Sequence, residues 1–169
     1  MAPLLQSSRI QLRAVEPEDL DLMYLIENDT QLWTCGGTTV PFSRYTLRQF
    51  ILQTSNDIHQ DKQLRLAIET MEGITVGFVD LQNYDAFQNR AEVGIVLMAD
   101  AQGKGYAQEA LCLLTDYARL QLQMKLLYAY VSVENTSAIF LFQNSGYQRS
   151  GLLPLWIRNH DAIVFTKVL

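Results

Sequence analysis

An apolar, strand-like run ends at Met98 and a helix-like repeat begins at Ala107; between them stand Asp100-Ala101-Gln102-Gly103-Lys104-Gly105-Tyr106. No other stretch restricts the fold as tightly. Two glycines in so short a link give the backbone conformations closed to other residues and bring bare N–H groups close to a ligand. The first N–H groups of the following helix have no partner inside it, and the helix dipole makes that end positive. A strand, a small-residue turn and a helix in that order form a site for an anion such as a pyrophosphate. The competing reading is a plain strand-to-helix turn. Two other phosphate-binding patterns fail on residue type. A P-loop needs a longer glycine loop and then Gly-Lys followed by Ser or Thr. The dinucleotide fingerprint needs a third small residue at the helix start, where this chain has Gln108.

The rest of the chain supplies partners for that unit. Arg9 to Val15 alternate around Ile10 and Leu12 and predict a first strand. Pro17 opens a helix that Glu18 and Asp19 favour in its first turn; its stripe of Leu20, Met23, Tyr24 and Ile26 runs to about Asn28. Gly36-Gly37 and Pro41 interrupt before a second helix from about Arg44 to Asp57, with Leu47, Phe50 and Ile51 on one face. Leu64–Thr70 and Ile74–Leu81, joined by Met71-Glu72-Gly73, form a hairpin, and Ala91–Met98 extends it to an antiparallel meander. Beyond the glycine turn, Ala107, Ala110, Leu111, Leu114, Tyr117 and Ala118 predict a helix laid on the sheet. A strand from Leu126 to Val133, a helix capped by Asn135 and closed by Gly146, and a hairpin of Tyr147–Leu153 with Asp161–Leu169 complete the order. The expectation is one α/β domain over residues 1–169: a mostly antiparallel twisted sheet with helices on both faces.

Composition excludes several classes. With 49% hydrophobic and 18% charged residues, the chain reads as globular, and no apolar stretch reaches the roughly 20 residues that span a bilayer. Met1-Ala2-Pro3-Leu4-Leu5-Gln6 lacks the basic flank and apolar stretch of a secretory signal, so a cytoplasmic location is expected. Cys35 and Cys112 are read as reduced thiols, Cys112 on a buried helix face, and two distant histidines, His59 and His160, give no zinc site. A net charge of −5 argues against a nucleic-acid partner and suits a cationic acceptor.

The spacing Gln102-x-x-Gly105-x-Ala107 resembles the coenzyme A loop of the GNAT superfamily of N-acetyltransferases, and the element order coincides with that family's topology over nearly the whole chain. The resemblance implies acetyl-CoA as cosubstrate and no metal. It implies that the amides of Gln102, Gly103, Lys104, Gly105, Tyr106 and Ala107 bind pyrophosphate, with the Lys104 side chain as an added charge. The segment Ser132 to Tyr147 is similar to the family's second motif. By that likeness Asn135 bonds the pantetheine arm or orders the splayed strands that admit it, while its residue type alone makes it a helix cap. Many members carry a Tyr seven residues after that Asn to protonate the departing thiolate; here Phe142 stands there, on the coenzyme's path but unable to donate. Tyr147, Tyr130 or a water are the substitutes. Glu92, ten residues before Gln102, resembles the strand glutamate that accepts the amine proton; its alternative is a solvent-facing residue paired with Arg90. Glu134 is a weaker candidate. Backbone N–H groups around Val96, Leu97 and Met98 are expected to hold the oxyanion, freed by an interruption of strand pairing.

For the acceptor, Trp33, Tyr84 and Trp156 could wall a pocket, and Glu27, Asp29, Asp57 and Asp85 could hold an ammonium group. Segments such as Arg90-Ala91-Glu92 and Asp57-Ile58-His59-Gln60-Asp61 look like the spermidine acetyltransferase branch, which borders the enzymes that acetylate ribosomal-protein N-termini. The expected reaction moves acetyl from acetyl-CoA to a primary amine, a polyamine or diamine such as spermidine or a protein N-terminus, by direct attack in a ternary complex. A coenzyme-binding sensor module is the alternative. Related enzymes often pair, so a homodimer or higher homo-oligomer is expected, with no membrane or nucleic-acid partner.

Overall fold

In the computed structural model, which describes residues 3–169, seven strands form one sheet in the order β1-β2-β3-β4-β5-β7-β6. Met1 and Ala2 of the N-terminal stretch lie outside the described residues. The strands are β1 (Ile10–Ala14), β2 (Leu64–Thr70), β3 (Thr75–Asp85), β4 (Arg90–Leu97), β5 (Leu126–Ser132), β6 (Gln148–Ile157) and β7 (His160–Val168). Neighbours are antiparallel except β4 and β5, which run parallel and are joined through α5 (Tyr106–Leu120). A parallel pair needs such a crossover, and the stripe predicted from Ala107 to Ala118 supplies it.

Strand alternation divides the core into two. Leu66, Ile68, Val79, Val93, Leu97, Leu127 and Phe165 point to the face covered by α5 and α6 (Thr136–Asn144). Ala67 and Phe78 point to the other face, where α1 (Leu20–Glu27) and α3 (Arg44–Gln53) bring Met23, Ile26, Leu47 and Ile51. Pro17–Asp19 form a 3-10 turn leading into α1.

Three expectations are corrected. The second helix stops at Gln53 because Thr54 turns extended (φ −64°, ψ 130°), and a separate turn, α4 (Ile58–Asp61), begins after Asp57. Another unexpected turn, α2 (Thr30–Trp33), follows Asp29. In both, a carboxylate caps the helix, accepting from Gln31 N and from His59 N at 2.9 Å each. Cys112 is exposed, since one residue beyond the buried Leu111 the helix has rotated away from the sheet. No helix among the described residues is long and apolar enough to cross a membrane.

The feature that positions the site is the separation of β4 from β5. They pair only from Arg90 to Glu92, opposite Leu126 to Tyr128; beyond that, β5 stays with β7 and β4 stays with β3. No bulge causes this, as the β3–β4 register is unbroken from Gly77–Leu97 to Gln82–Glu92. Gly77 keeps that end of β4 seated on β3, for a Cβ there would collide with the Val96 carbonyl and Leu97 Cα. The two strands therefore open like a V toward the glycine turn.

Candidate functional site

Gly103 and Gly105 both adopt left-handed backbone (φ 73° and 84°), and Gly105 caps α5. This is the conformation an L side chain resists. Among the described residues the N–H groups of Gly103, Lys104, Gly105, Tyr106, Ala107 and Gln108 donate to no backbone acceptor, and no side chain caps the helix. The Gln102 amide differs from expectation: it donates to Ala99 O at 3.3 Å, while its side chain reaches Leu97 O at 3.2 Å and ties the turn to the end of β4. Arg9, which the sequence reading passed over, also braces the turn. It donates to Lys104 O at 2.9 Å and to Glu109 at 2.9 Å, and stacks over the Tyr106 ring at 5.3 Å. Its charge offsets Glu109 in the first turn of α5 and leaves the amide cluster positive.

From the turn a groove of about 450 Å³ runs into the V, bounded by Ile95, Val96 and Leu97 on one side and by Asn135, Ala138 and Leu141 on the other. Asn135 does what its residue type predicts, accepting from Ala138 N at 3.1 Å. That bond uses Oδ1, and Nδ2 donates to no protein acceptor among the described residues, so a cap and a groove-facing donor coexist in one side chain. Along β4, N–H groups alternate sides. Met98 N donates to Val76 O at 2.9 Å on the β3 side, so Met98 is not a free donor, and Val96 shares its orientation. The amides of Leu97 and Ile95 face the V, where β5 has left them without a strand partner among the described residues.

Phe142 corrects the coenzyme assignment made for it. It is 4% exposed, stacks on Phe165 at 5.8 Å and meets Tyr147 edge-on at 5.0 Å, so it is a core residue and no wall of the groove. Tyr147 is no readier as an acid: burial pushes its hydroxyl well above the usual tyrosine range, and the nearby Thr115 side chain offsets this only in part. Tyr130 lies on the opposite sheet face, between Tyr128 and Trp156 at 5.6 Å from each.

Glu92 projects beside Gln82 and Tyr128 and accepts from Asn83 Nδ2 at 2.8 Å, so its contact is not Arg90. Burial and the Glu92 charge together raise the Tyr128 pKa. Two positions further along β4, Gly94 leaves room for Asp80, whose Oδ2 lies 3.5 Å from where a Cβ would be. Asp80 forms a fork with Arg65 (Nε–Oδ1 2.7 Å, Nη2–Oδ2 3.0 Å), and Arg65 Nη1 reaches Glu27 Oε1 at 2.6 Å. Burial alone would lower the Arg65 pKa, but the two carboxylates outweigh it and hold the guanidinium charged. Of the four acids proposed for the acceptor, Glu27 alone lines a cavity, one it shares with Arg65, Asp80 and Trp33. Asp29 and Asp57 cap helices, and Asp85 caps the turn at Phe87 and Gln88. Tyr84 is buried core, Trp156 is exposed on β6, and Trp33 lines the cavity with its indole donating to Glu27 O at 2.8 Å. Glu134 is exposed, 3.9 Å from His160. No group of three or more metal-binding side chains occurs among the described residues.

A sheet parted between its central strands, with a glycine turn offering amides at the mouth of the gap, is the frame of an acyl-group transferase. Residues 9–148 match the family described as acetyltransferase (GNAT) domain, and the chain belongs to that family and is an acetyltransferase. It is 34% identical over 156 residues to the uncharacterized N-acetyltransferase p20 of Bacillus licheniformis, covering 88% of this chain and 84% of that one. It is 25% identical over 147 residues to the spermidine N(1)-acetyltransferase of Vibrio cholerae, covering 87% and 83%. A crystal structure of spermidine N-acetyltransferase from Vibrio cholerae in complex with CoA and spermine superposes with a TM-score of 0.85 over 96% of each chain, at 24% identity.

Proposed function

We propose that this enzyme takes acetyl from acetyl-CoA and passes it to a primary amine by direct attack, with both substrates bound together. The observation that carries the reading is the row of six unpartnered amides from Gly103 to Gln108 at the open end of the groove. A diphosphate is the anion that such a row fits, and the groove behind it is narrow and lined mainly by aliphatic groups, as a pantetheine arm requires. The names of the relatives support amine acetylation.

In this reading Gly103 to Ala107 hold the diphosphate through backbone N–H groups, Lys104 adds a point charge, and Asn135 Nδ2 donates to an amide of the arm. The Leu97 N–H, or that of Ile95, points into the V and stabilises the oxyanion; Val96 contributes wall. Glu92, directly or through a water it orders, accepts the proton of the attacking ammonium. Phe142 supplies no acid. A thiol of pKa about 8.5 is a tolerable leaving group near neutral pH, and a general acid contributes roughly 10² to 10⁴-fold, so turnover survives its absence at reduced speed. Self-association through β6 belongs to the same reading: β6 is an edge strand, and Leu152, Leu155 and Trp156 on it are exposed.

Calorimetry with acetyl-CoA, followed by amine-dependent release of free thiol across an amine panel, tests it. Binding with stoichiometry near one and acceptor-dependent thiol are expected. Absence of binding refutes the reading, and binding without turnover on any amine replaces the enzyme with a coenzyme sensor.

A further inference from the structure

The Arg65 cluster sits at the junction of two hollows that continue the groove. One, of about 150 Å³, lies between Trp33 and Thr38 and shares Ile95 and Val96 with the coenzyme groove. The other, of about 250 Å³, lies between α1, α3 and the sheet, walled by Met23, Phe42, Leu47, Phe50 and Leu81. Glu27, Arg65 and Asp80 border both. The smaller hollow thus adjoins the coenzyme groove at Val96 on one side and the apolar hollow on the other, where the three charged residues line both.

The charge count of that junction is unusual for a polycation site. Arg65 and Asp80 are direct cross-strand partners, and the fork between them occupies both oxygens of Asp80. Arg65 also takes one oxygen of Glu27, leaving Glu27 Oε2 without a partner among the described residues. Two carboxylates and one guanidinium leave a net charge of −1. Asp29, Asp57 and Asp85 line neither hollow and do not add to it. A linear triamine carries about three positive charges at neutral pH and would meet the Arg65 guanidinium as it entered. A single ammonium is balanced, and the apolar hollow beyond exceeds the about 150 Å³ that holds a benzene ring.

We infer that the acceptor is a small primary amine with one positive charge and an apolar body: Glu27 draws its nitrogen in as an ammonium, which gives its proton to Glu92 directly or through water before attack, and its body fills the hollow between α1 and α3. Arg65 is the specificity-determining residue, because it cancels one of the two carboxylates and turns polyamines away. The inference rests on the acetyl-transfer reading above and narrows its acceptor.

Initial rates at saturating acetyl-CoA with phenethylamine, methylamine and spermidine test it. Phenethylamine should exceed spermidine in kcat/KM by at least about tenfold, a difference of about 1.4 kcal/mol. Glu27→Gln should raise KM for phenethylamine about tenfold, with the coenzyme Kd by calorimetry as control. Thr46 is exposed on the rim of the larger hollow, so Thr46→Trp fills it with little risk to the core and should cut the phenethylamine-to-methylamine ratio of kcat/KM about tenfold. Preference for spermidine, or an unaltered ratio in Thr46→Trp, overturns the inference while acetyl transfer stands. No thiol release with any amine overturns the underlying reading instead.

Discussion

Replacing Gly105 by Asn and by Asp separates the shape of the turn from its charge. Both side chains enter left-handed backbone (φ 84°, ψ 0°), which costs an L residue about 1–2 kcal/mol, less for these two types than for others. Both meet the same obstacle, since a Cβ there stands 3.2 Å from Arg9 Nη2. The variants are isosteric, so these costs are common to both, and one negative charge remains as the difference. For a phosphate oxygen about 5 Å from the carboxylate, Coulomb's law gives about 0.8 kcal/mol of repulsion in a water-like medium and about 3.3 kcal/mol at an effective dielectric constant near 20. Arg9 beside the new carboxylate draws the value toward the lower part of that range, so the Asp variant should bind CoA about tenfold more weakly than the Asn variant. The same carboxylate caps α5 and meets the positive end of its dipole, worth about 0.3–1 kcal/mol in the opposite sense. The Asp variant should therefore melt no lower than the Asn variant while binding worse, a divergence that general damage to the fold does not produce. Calorimetric titration with CoA at two ionic strengths reads the affinity, and added salt should narrow the gap. Equal affinities within twofold would refute the assignment of the turn to the diphosphate.

Phe142→Tyr should destabilise the protein by about 1–3 kcal/mol in urea unfolding without raising kcat, because its hydroxyl enters an aromatic core beside Phe165; a faster enzyme of unchanged stability would contradict the core placement. Asn135→Ala should lose about 1 kcal/mol of cap energy together with CoA affinity, whereas Asn135→Asp should keep the cap and lose the affinity, since it retains Oδ1 and not Nδ2; matched losses in both would show the side chain to be only a cap. Asp19 is buried, which by itself would raise its pKa, but Arg13 and the Glu16 N–H outweigh this and hold it below the usual carboxylate value. The stability it contributes is complete above the ordinary pKa of about 3.9 and is lost as pH falls through the depressed folded value. Asp19→Asn should accordingly flatten the acid side of a stability–pH curve measured by urea unfolding, and an identical curve would refute the pairing.

What the sequence disclosed depended on how local its cause was. The turn at Gly103–Gly105 was legible because left-handed backbone and a following helical stripe are written in neighbouring residues, and the meander because its strands are joined by short links. The opening of β4 from β5 was expected only by likeness to the family. It arises because β5 has β7 as a second partner far along the chain, and no residue within Val93–Leu97 announces it; the interruption lies between β4 and β5, while the β3 side stays paired. Phe142 misled for the opposite reason. A position read by likeness alone ignored that a phenyl ring, freed from any need to donate, is better buried between Tyr147 and Phe165.

The Arg65–Asp80 pair was missed, and the sequence held only part of its signal. Each is a charged residue in a strand otherwise rich in apolar ones, but counting outward from the Met71-Glu72-Gly73 turn sets Arg65 opposite Val79, and only the register shift between Ile68 and Glu69 brings it opposite Asp80. A charge in such a strand survives only with a partner, because burying it alone costs several kcal/mol. That either charge needs a partner can therefore be deduced before any coordinates are known, but which partner depends on that register shift, while Asp29, Asp57 and Asp85 are explained by chain-local capping. Glu27 completes the cluster from the last turn of α1, a contact spanning 38 residues that only the packing of α1 on β2 creates. The charge of the proposed acceptor site is thus set by three residues from three elements, with Arg65 carrying the sign opposite to its two partners.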